Sequence, residues 1–328
     1  MRFAMSNEDQ NLTINIEWVP ALFKELSKLI VGQKDMLEAI LMGVLTEGHV
    51  LIEGLPGLAK TLSISTFSKT LSLAFQRIQF TPDLLPSDII GTMIFNPNTG
   101  EFNVKKGPVF SNIILADEIN RASAKVQSAL LEAMAEKQVS IGSNTYKLDK
   151  PFLVLATQNP IEQEGTFELP EAQLDRFLFK VKVNYPNKEE ELQILEKIND
   201  FATAEVKSIL TQDKLLEARQ QVSKIHIDEN LKKYIIDLIM STRNLKEYGL
   251  KRLEHLVKIG VSPRATLGIA TAAKAQAFLK GRNYVNLDDI KTVAYLVLRH
   301  RLILTYEAES ENINTDNIIT EILANINI

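Results

Sequence analysis

A glycine-rich loop that ends in a lysine and a threonine is the first place where this sequence could do chemistry. The loop, GLPGLAKT at residues 54–61, follows the apolar run Val50–Ile52 and precedes a segment with helical periodicity. Glycines let the backbone turn so that its N–H groups converge on phosphate oxygens, and a helix N-terminus adds a favourable dipole there. In this context Lys60 would reach the β- and γ-phosphates of a nucleotide, and the Thr61 hydroxyl would bind Mg²⁺. The predicted nucleotide contacts are Gly54, Pro56, Gly57, Leu58, Ala59, Lys60, Thr61 and Leu62.

One position in this loop departs from the usual pattern. A glycine normally stands immediately before the lysine, and this chain has Ala59. We expect alanine to be acceptable there only if the residue already has helical backbone angles. The alternative interpretation of the whole loop is a Gly/Pro turn between a strand and a helix, with Lys60 on the surface.

A second motif supplies two acids at the end of another apolar run. Ile113–Ala116 is followed directly by Asp117 and Glu118. Asp117 would hold Mg²⁺, through water, and Glu118 would orient and polarise an attacking water. Two acids could instead simply cap the following segment. Together with the loop, the pair favours a magnesium-dependent ATPase.

Three further polar residues are candidates for the same site. Asn159 follows a third apolar run, where it could touch the γ-phosphate or the attacking water, although Asn-Pro is also a common turn. Arg176 precedes the last predicted strand, and its alternative role is a surface ion pair. Arg264 falls in the first turn of a predicted helix, where the interaction of a cation with the helix dipole is unfavourable by about 0.3–1 kcal/mol. A bound phosphate would explain why an arginine stands at this position.

The elements that must position these residues divide the chain into two parts. Apolar runs predict strands at His49–Glu53, Phe75–Phe80, Asn112–Ala116, Phe152–Thr157 and Leu178–Val181. Helical periodicity predicts helices at Lys34–Leu45, Lys60–Ser72 and Ala124–Glu136, and turn residues predict hairpins at Asn96–Gly100 and Gly142–Asn144. This alternation predicts an α/β domain over residues 1–186, with a parallel five-stranded sheet flanked by helices. Only one proline lies beyond Pro186, and capping patterns at Asn187, Ser262 and Asn286 predict an all-helical domain over residues 187–328.

Net charge, cysteine content and the length of the apolar runs argue against several classes of protein. The 328 residues carry a net charge of −4, which gives no sign of the basic face of a dedicated duplex-DNA binder. The chain has no cysteine, which excludes disulfides and thiolate metal sites and fits a reducing compartment. No apolar run reaches the roughly 18 residues that span a bilayer. Met1–Gln10 lacks the apolar stretch of a secretory signal, so we expect a cytoplasmic location. Either Met1 or Met5 could be the first residue of the protein.

In this order the motifs resemble the AAA+ ATPases, and specifically the MoxR family, over nearly the whole chain. Members of that family commonly carry alanine before the loop lysine, so Ala59 supports the resemblance. The stretches that carry it are Val31–Gln33, Glu53–Thr61, Phe80–Asp88, Gly107–Phe110, Leu115–Ala122, Gln127–Met134, Ala156–Pro160, Leu169–Phe177 and Ser262–Ala265.

The resemblance implies a role for each candidate residue. The loop becomes the Walker A motif and the acid pair becomes Walker B, with ATP and Mg²⁺ as cofactors. Val31 and Gly32 would line the adenine pocket, and Asn159 would be sensor 1. Arg176 matches the arginine finger, which acts on ATP held by a neighbouring subunit, and Arg264 matches sensor 2 in the helical lid.

The family also implies a homo-oligomeric ring, usually a hexamer. Residues 88–106 look like the insertion in helix 2 of this clade, with a tip at 96–100 that faces the pore or is an ordinary surface hairpin. A protein with a von Willebrand factor A domain is the expected partner. The resemblance implies that the protein acts in chaperone-like remodelling or in metal insertion. Arg121 could bridge subunits or cap the acidic turn.

Three other functions stay open at this stage. A nucleic-acid motor similar to the MCM helicases would need basic pore loops, and the hairpin region offers Lys105 and Lys106 but little else. A non-catalytic ATP-binding scaffold would not need Lys60, Glu118 and Arg176 together. A magnesium-chelatase-like subunit is closely related but committed to porphyrin metallation.

Overall fold

The computed structural model of the protein describes residues 14–161, 165–197 and 204–326. The segment Met1–Gln10, and with it the choice between Met1 and Met5, lies outside the described residues.

A five-stranded parallel sheet in the order β2-β5-β8-β1-β9 forms the centre of the first structural unit. The strands in the described residues are β1 Val50–Gly54, β2 Phe75–Gln79, β3 Gly91–Asn96, β4 Glu101–Lys106, β5 Ile113–Asp117, β6 Gln138–Ile141, β7 Asn144–Lys147, β8 Leu153–Gln158, β9 Phe179–Val183, β10 Val257–Ile259 and β11 Ile303–Leu304. All five predicted sheet strands are confirmed, with ends that differ by one or two residues.

Helices cover this sheet because its inner strands are apolar on both faces. The segments Ile113–Leu115 and Leu153–Leu155 are fully buried, as their continuous apolar runs predict. The described helices are α1 Trp18–Leu26, α2 Lys34–Thr46, α3 Lys60–Thr70, α4 Pro86–Ile90, α5 Ala124–Glu136, α6 Glu171–Leu174, α7 Lys188–Glu196, α8 Gln212–Ser223, α9 Glu229–Arg243, α10 Pro263–Leu279, α11 Leu287–Leu298, α12 Tyr306–Ser310 and α13 Thr315–Asn325. Helix α2 packs on β1 and β9, and α3 packs on β5.

Two antiparallel hairpins extend this α/β unit, and both predicted turns are confirmed. Strands β3 and β4 pair across the turn at 97–100, and β6 pairs with β7 across Gly142 and Ser143. The first hairpin follows the short helix α4 directly, so residues 86–106 form a helix-plus-hairpin segment at the position of the predicted insertion.

The contacts of the chain divide it at Leu215, whereas the sequence predicts a boundary near Pro186. One unit is Pro20–Leu215, and the other joins residues 14–19 to 216–326. Hydrogen bonds hold the segment after α7 to the α/β unit: Lys207 N donates to Glu25 Oε2 at 3.0 Å, and Ile209 N donates to Thr70 O at 2.8 Å. Helix α7 and the segment that follows it therefore belong with the sheet by contact.

The second unit is built mainly of helices, with α10 packed on α9 and α11, and α11 packed on α13. Asn286 starts α11 as predicted: its Oδ1 accepts from Asp289 N at 2.9 Å, and Asp289 Oδ2 accepts from Asn286 N at 2.9 Å. The structure adds a small antiparallel pair, β10 with β11, to the predicted all-helical composition. Among the described residues, no helix combines the length and apolarity needed to cross a membrane.

A buried histidine ties the sheet to α5 at the opposite end from the candidate residues. Val154 N donates to His49 Nδ1 at 3.0 Å, so the ring proton lies on Nε2, which faces Met134 O at 3.4 Å. The pKa of His49 is lowered from 6.5 to about 4, chiefly by burial, while the hydrogen bond to Met134 O opposes the shift.

This buried ring predicts a dependence of stability on pH. Because the pKa of His49 is lower in the folded than in the unfolded chain, its contribution is complete above pH 6.5 and is lost as the pH falls to about 4. The loss integrates to about 3 kcal/mol at most. We expect the free energy of unfolding, measured with urea between pH 7 and 4, to fall more steeply for wild type than for His49→Gln. Equal slopes for the two proteins would contradict the assignment.

Candidate active site

An open cavity of about 450 Å³ lies at the carboxyl ends of β1, β5 and β8. This edge is where ligands bind in open parallel α/β sheets. The residues that line the cavity are Pro56, Gly57, Leu58, Ala59, Lys60, Thr61, Leu62, Arg77, Asp117, Glu118 and Asn159. The fold thus brings the predicted loop, the acid pair and Asn159 together.

Lys60 lines this cavity, and its side chain is held by its own loop. Its Nζ donates to Gly54 O at 2.5 Å, which folds the side chain back over the loop. Burial lowers the pKa of Lys60, and the negative charges of Asp117 and Glu118 oppose that shift. Part of the hydration of this ammonium is already removed, which lowers the cost of binding phosphate oxygens.

The backbone of the loop corrects one expectation. Ala59 has φ 53° and ψ 22°, which is the left-handed region and not the helical region that we expected for an alanine here. Its carbonyl still accepts the first helical bond, from Ser63 N at 2.9 Å, so the residue is the N-cap of α3. A left-handed alanine costs roughly 1–2 kcal/mol relative to the right-handed form. Backbone strain of this kind concentrates at ligand sites, where the surrounding structure enforces it.

Asp117 is fixed by neighbours on both sides of its strand. On the β8 side Thr157 Oγ1 donates to Asp117 Oδ1 at 2.6 Å, and on the β2 side Arg77 Nε and Nη2 donate to Oδ2 at 2.9 and 2.7 Å. The carboxylate is nearly buried, while the Arg77 side chain is about half exposed. The orientation of Asp117 is therefore determined by three donors.

Glu118 turns away from the strand into the cavity. Its backbone is left-handed at φ 56°, and its N–H donates to Thr157 Oγ1 at 2.8 Å. Its carboxylate accepts from Gln79 Nε2 at 2.8 Å and pairs with Arg121 Nε at 3.2 Å. Of the two roles considered for Arg121, the contact with the acidic turn is present within the chain, and a role between subunits stays a prediction.

Asn159 is buried at the cavity wall and also stabilises its own turn. Its Oδ1 accepts from Ile161 N at 3.2 Å, so the turn-forming interpretation of Asn159-Pro160 holds as well. Because that bond uses the oxygen, the amide nitrogen is the atom that Asn159 can offer to a ligand. The two interpretations of Asn159 are compatible.

Val31 and Gly32 are not among the described residues that line this cavity, and Gly32 lies beside Glu190 in the first turn of α7. Gly32 has φ 67°, a left-handed backbone that favours glycine, and a Cβ there would come within 2.6 Å of Glu190 Oε1, so a larger residue would also displace the Glu190 carboxylate. Glu190 also lines a second cavity of about 270 Å³ with residues that follow Gly32, beginning at Gln33. The assignment of Val31 and Gly32 to an adenine pocket stays a prediction.

The two predicted arginines are not among the described residues that line the main cavity. Arg176 is exposed, and its Nη1 donates to Leu131 O on α5. Arg264 lies in the first turn of α10, as predicted, in the mainly helical unit. Their catalytic roles stay predictions.

Sequence reasoning missed three residues of the site: Arg77, Gln79 and Thr157. A partial signal was present, because Arg77 and Gln79 alternate with the buried Ile78 and so share one face of β2. What the sequence does not contain is the pairing of β2 with β5, which sets Gln79 opposite Asp117.

The left-handed backbone of Ala59 predicts that glycine would be more stable there. Ala59→Gly should raise the free energy of unfolding by about 1 kcal/mol, since relief of strain exceeds the added entropy of the unfolded glycine. Ala135→Gly, on the exposed face of α5, is the matched control and should lower stability by about 0.5–1 kcal/mol. Chemical denaturation measures both. A loss of stability in Ala59→Gly would contradict the left-handed assignment.

Comparison with known proteins agrees with this geometry. The model of the family called ATPase family associated with various cellular activities (AAA) matches residues 49–179, and the AAA lid domain model matches residues 250–322. The chain is 45% identical to Chaperone MoxR1 of Mycobacterium tuberculosis, with 97% of this chain and 84% of the relative covered. It is 34% identical to Protein MoxR of Paracoccus denitrificans, covering 87% and 89% of the two chains.

A solved structure supports the same relationship. The crystal structure of a candidate ATPase from Cytophaga hutchinsonii ATCC 33406 superposes with a TM-score of 0.89 at 54% identity, over 95% of this chain and 94% of that chain. The fold, the cavity at the strand ends and the relatives that match nearly end to end lead to one conclusion. The chain belongs to the MoxR family of AAA+ ATPases.

Proposed function

We propose that this protein hydrolyses ATP with Mg²⁺ at the subunit interfaces of a homo-oligomeric ring, most simply a hexamer, and that it acts as a chaperone-like remodelling factor. The observation that carries the proposal is the convergence of Lys60, Thr61, Asp117, Glu118 and Asn159 on one cavity. Phosphate-binding, metal-binding and water-orienting groups of this kind are the recurring parts of P-loop nucleotide hydrolases. A cytoplasmic location stays a prediction from the sequence.

The oxygen atoms of the site suit a magnesium ion. Thr61 offers a hydroxyl, and Asp117 offers a carboxylate whose position is fixed by Thr157 and Arg77. Magnesium prefers few protein oxygens and several phosphate or water oxygens, so a single carboxylate and a hydroxyl fit its needs. When bound, the ion would neutralise charge on the phosphate oxygens.

The protein groups divide the remaining work. The Lys60 ammonium binds the β- and γ-phosphates and stabilises the negative charge that develops on them. The Glu118 carboxylate accepts a hydrogen bond from the attacking water and aligns it with the γ-phosphorus. The amide nitrogen of Asn159 donates to the γ-phosphate or to the same water.

Arg176 supports a site shared between subunits. It is exposed, does not line the nucleotide cavity of its own chain, and donates a hydrogen bond to Leu131 O on α5. In our proposal it reaches ATP held by the neighbouring subunit, and Arg264 acts as sensor 2. An arginine supplied from outside the site is worth roughly 10³–10⁵ in rate in other nucleotide hydrolases. We therefore expect activity to depend on assembly.

The hairpin of β3 and β4 supports contact with a client protein. Its large apolar side chains are exposed, and the rings of Phe95 and Phe102 pack across the strands with centroids 5.3 Å apart. The exposed apolar residues of the hairpin are Met93, Ile94, Phe95 and Phe102. An exposed apolar patch on a protein surface marks an interaction site. We propose that this hairpin is the helix-2 insertion and engages the client, with a von Willebrand factor A domain protein as the partner and metal insertion as one outcome of remodelling.

The proposed chemistry predicts the behaviour of two variants. Lys60→Ala and Glu118→Gln should each lower ATP turnover by at least 100-fold, because one loses the phosphate clamp and the other the water-orienting carboxylate. Only Lys60→Ala should also weaken ATP binding. Phosphate release and equilibrium binding of ATP measure the two effects. Lys69→Ala, at the exposed end of the same helix, is the control. Unchanged turnover in Lys60→Ala would refute the active site.

The shared site predicts complementation between inactive subunits. Arg176→Ala and Glu118→Gln should each be inactive alone, whereas a mixture should regain part of the wild-type phosphate release. A mixed interface can join the intact Glu118 of one subunit to the intact Arg176 of its neighbour. Arg252→Ala, which removes a surface arginine paired with Glu321, should stay active and serves as the control. A mixture that stays inactive while both variants still assemble would contradict action across the interface.

A further inference from the structure

One arginine connects the metal-binding carboxylate to the water-orienting carboxylate. Arg77 Nη2 lies 2.7 Å from Asp117 Oδ2 and also 2.7 Å from Gln79 Oε1. Gln79 Nε2 in turn donates to Glu118 Oε2 at 2.8 Å. A continuous chain of hydrogen bonds therefore runs from Asp117 through Arg77 and Gln79 to Glu118.

The direction of these hydrogen bonds is fixed by which groups can donate and which can accept. Arginine has only donors, so the Gln79 amide must present its oxygen to Arg77 and its nitrogen to Glu118. With Arg77 elsewhere, the amide could rotate and would lose the constraint that aims its nitrogen at Glu118. Arg77 therefore orients Gln79 as well as neutralising Asp117.

The contact with Asp117 also occupies an oxygen that the proposed reaction needs. Thr157 holds Oδ1 with a buried hydrogen bond, and Arg77 covers Oδ2 with two donors. Arg77 must move off Oδ2 before that oxygen can face a divalent cation or the water bound to one. The Arg77 side chain is about half exposed, so it has room to leave.

We propose that Arg77 is a positioning residue that competes with a divalent cation for Oδ2 of Asp117. The inference rests on the proposed ATPase function. While Arg77 lies on Asp117, two of its donors cover this oxygen. Binding of a cation would then include the cost of displacing Arg77, so this arginine would help to set the Mg²⁺ concentration at which the site fills.

The first test measures the Mg²⁺ dependence of nucleotide binding. A fluorescent, non-hydrolysable ATP analogue is titrated with EDTA and over a range of Mg²⁺ concentrations. For Arg77→Ala we expect the half-effective Mg²⁺ concentration to fall at least fivefold, because its competitor is gone. Affinity in EDTA should stay within about twofold of wild type. Arg77→Lys keeps the charge but has fewer donors and should fall between the two, and Arg252→Ala should match wild type.

Two results would overturn competition at Asp117. One is an unchanged half-effective Mg²⁺ concentration in a folded Arg77→Ala or Arg77→Lys protein. The other is a tenfold loss of affinity in EDTA with the Mg²⁺ dependence unchanged, which would make Arg77 a direct phosphate ligand. Failure of the ATPase function itself is distinguishable, since Lys60→Ala would then bind the analogue as well as wild type does.

Discussion

The hydroxyl of Thr157 is the contact on which the acidic end of the site depends. It donates to Asp117 Oδ1 at 2.6 Å and accepts from Glu118 N at 2.8 Å. A single buried oxygen on β8 thereby fixes the side chain of one acid and the backbone of the next. Because β8 lies between β5 and β1, the same strand also joins the acid pair to the phosphate-binding loop. The relative position of the two motifs is set by this central strand.

The charges of the site balance one another within the α/β unit. Arg77 and Arg121 pair with Asp117 and Glu118, while Lys60 is folded onto its own loop. Charged groups that leave water must be compensated, and here the compensation comes from side chains that can also leave. A bound nucleotide and cation would exchange these internal partners for external ones.

Ala59 illustrates how a site can retain strain. The loop forces a left-handed backbone on a residue that has a Cβ, and α3 begins directly after it. Glycine would relieve this strain, but it would also loosen the loop in every other state of the chain. The condition that we placed on alanine was wrong because local preference does not decide the conformation of a residue held between a buried strand and a helix. The surrounding structure decides it.

Much of the fold could be predicted because its signals are local. The apolar runs, the helical periodicity, the phosphate-binding loop and the acid pair are each contained in short stretches, and so are the capping residues that start α7 and α11. The order of the strands in the sheet, in contrast, is not encoded in any short stretch. Side-chain alternation places Arg77 and Gln79 on one face of β2, but no local rule states that β2 pairs with β5. Parallel pairing joins segments that are some forty residues apart, and it depends on how all the apolar faces are buried together. The sequence by itself therefore determined the chemical groups and their local elements. Only the tertiary structure decided that Arg77, Gln79 and Thr157 surround the acid pair, since those contacts arise from strand packing.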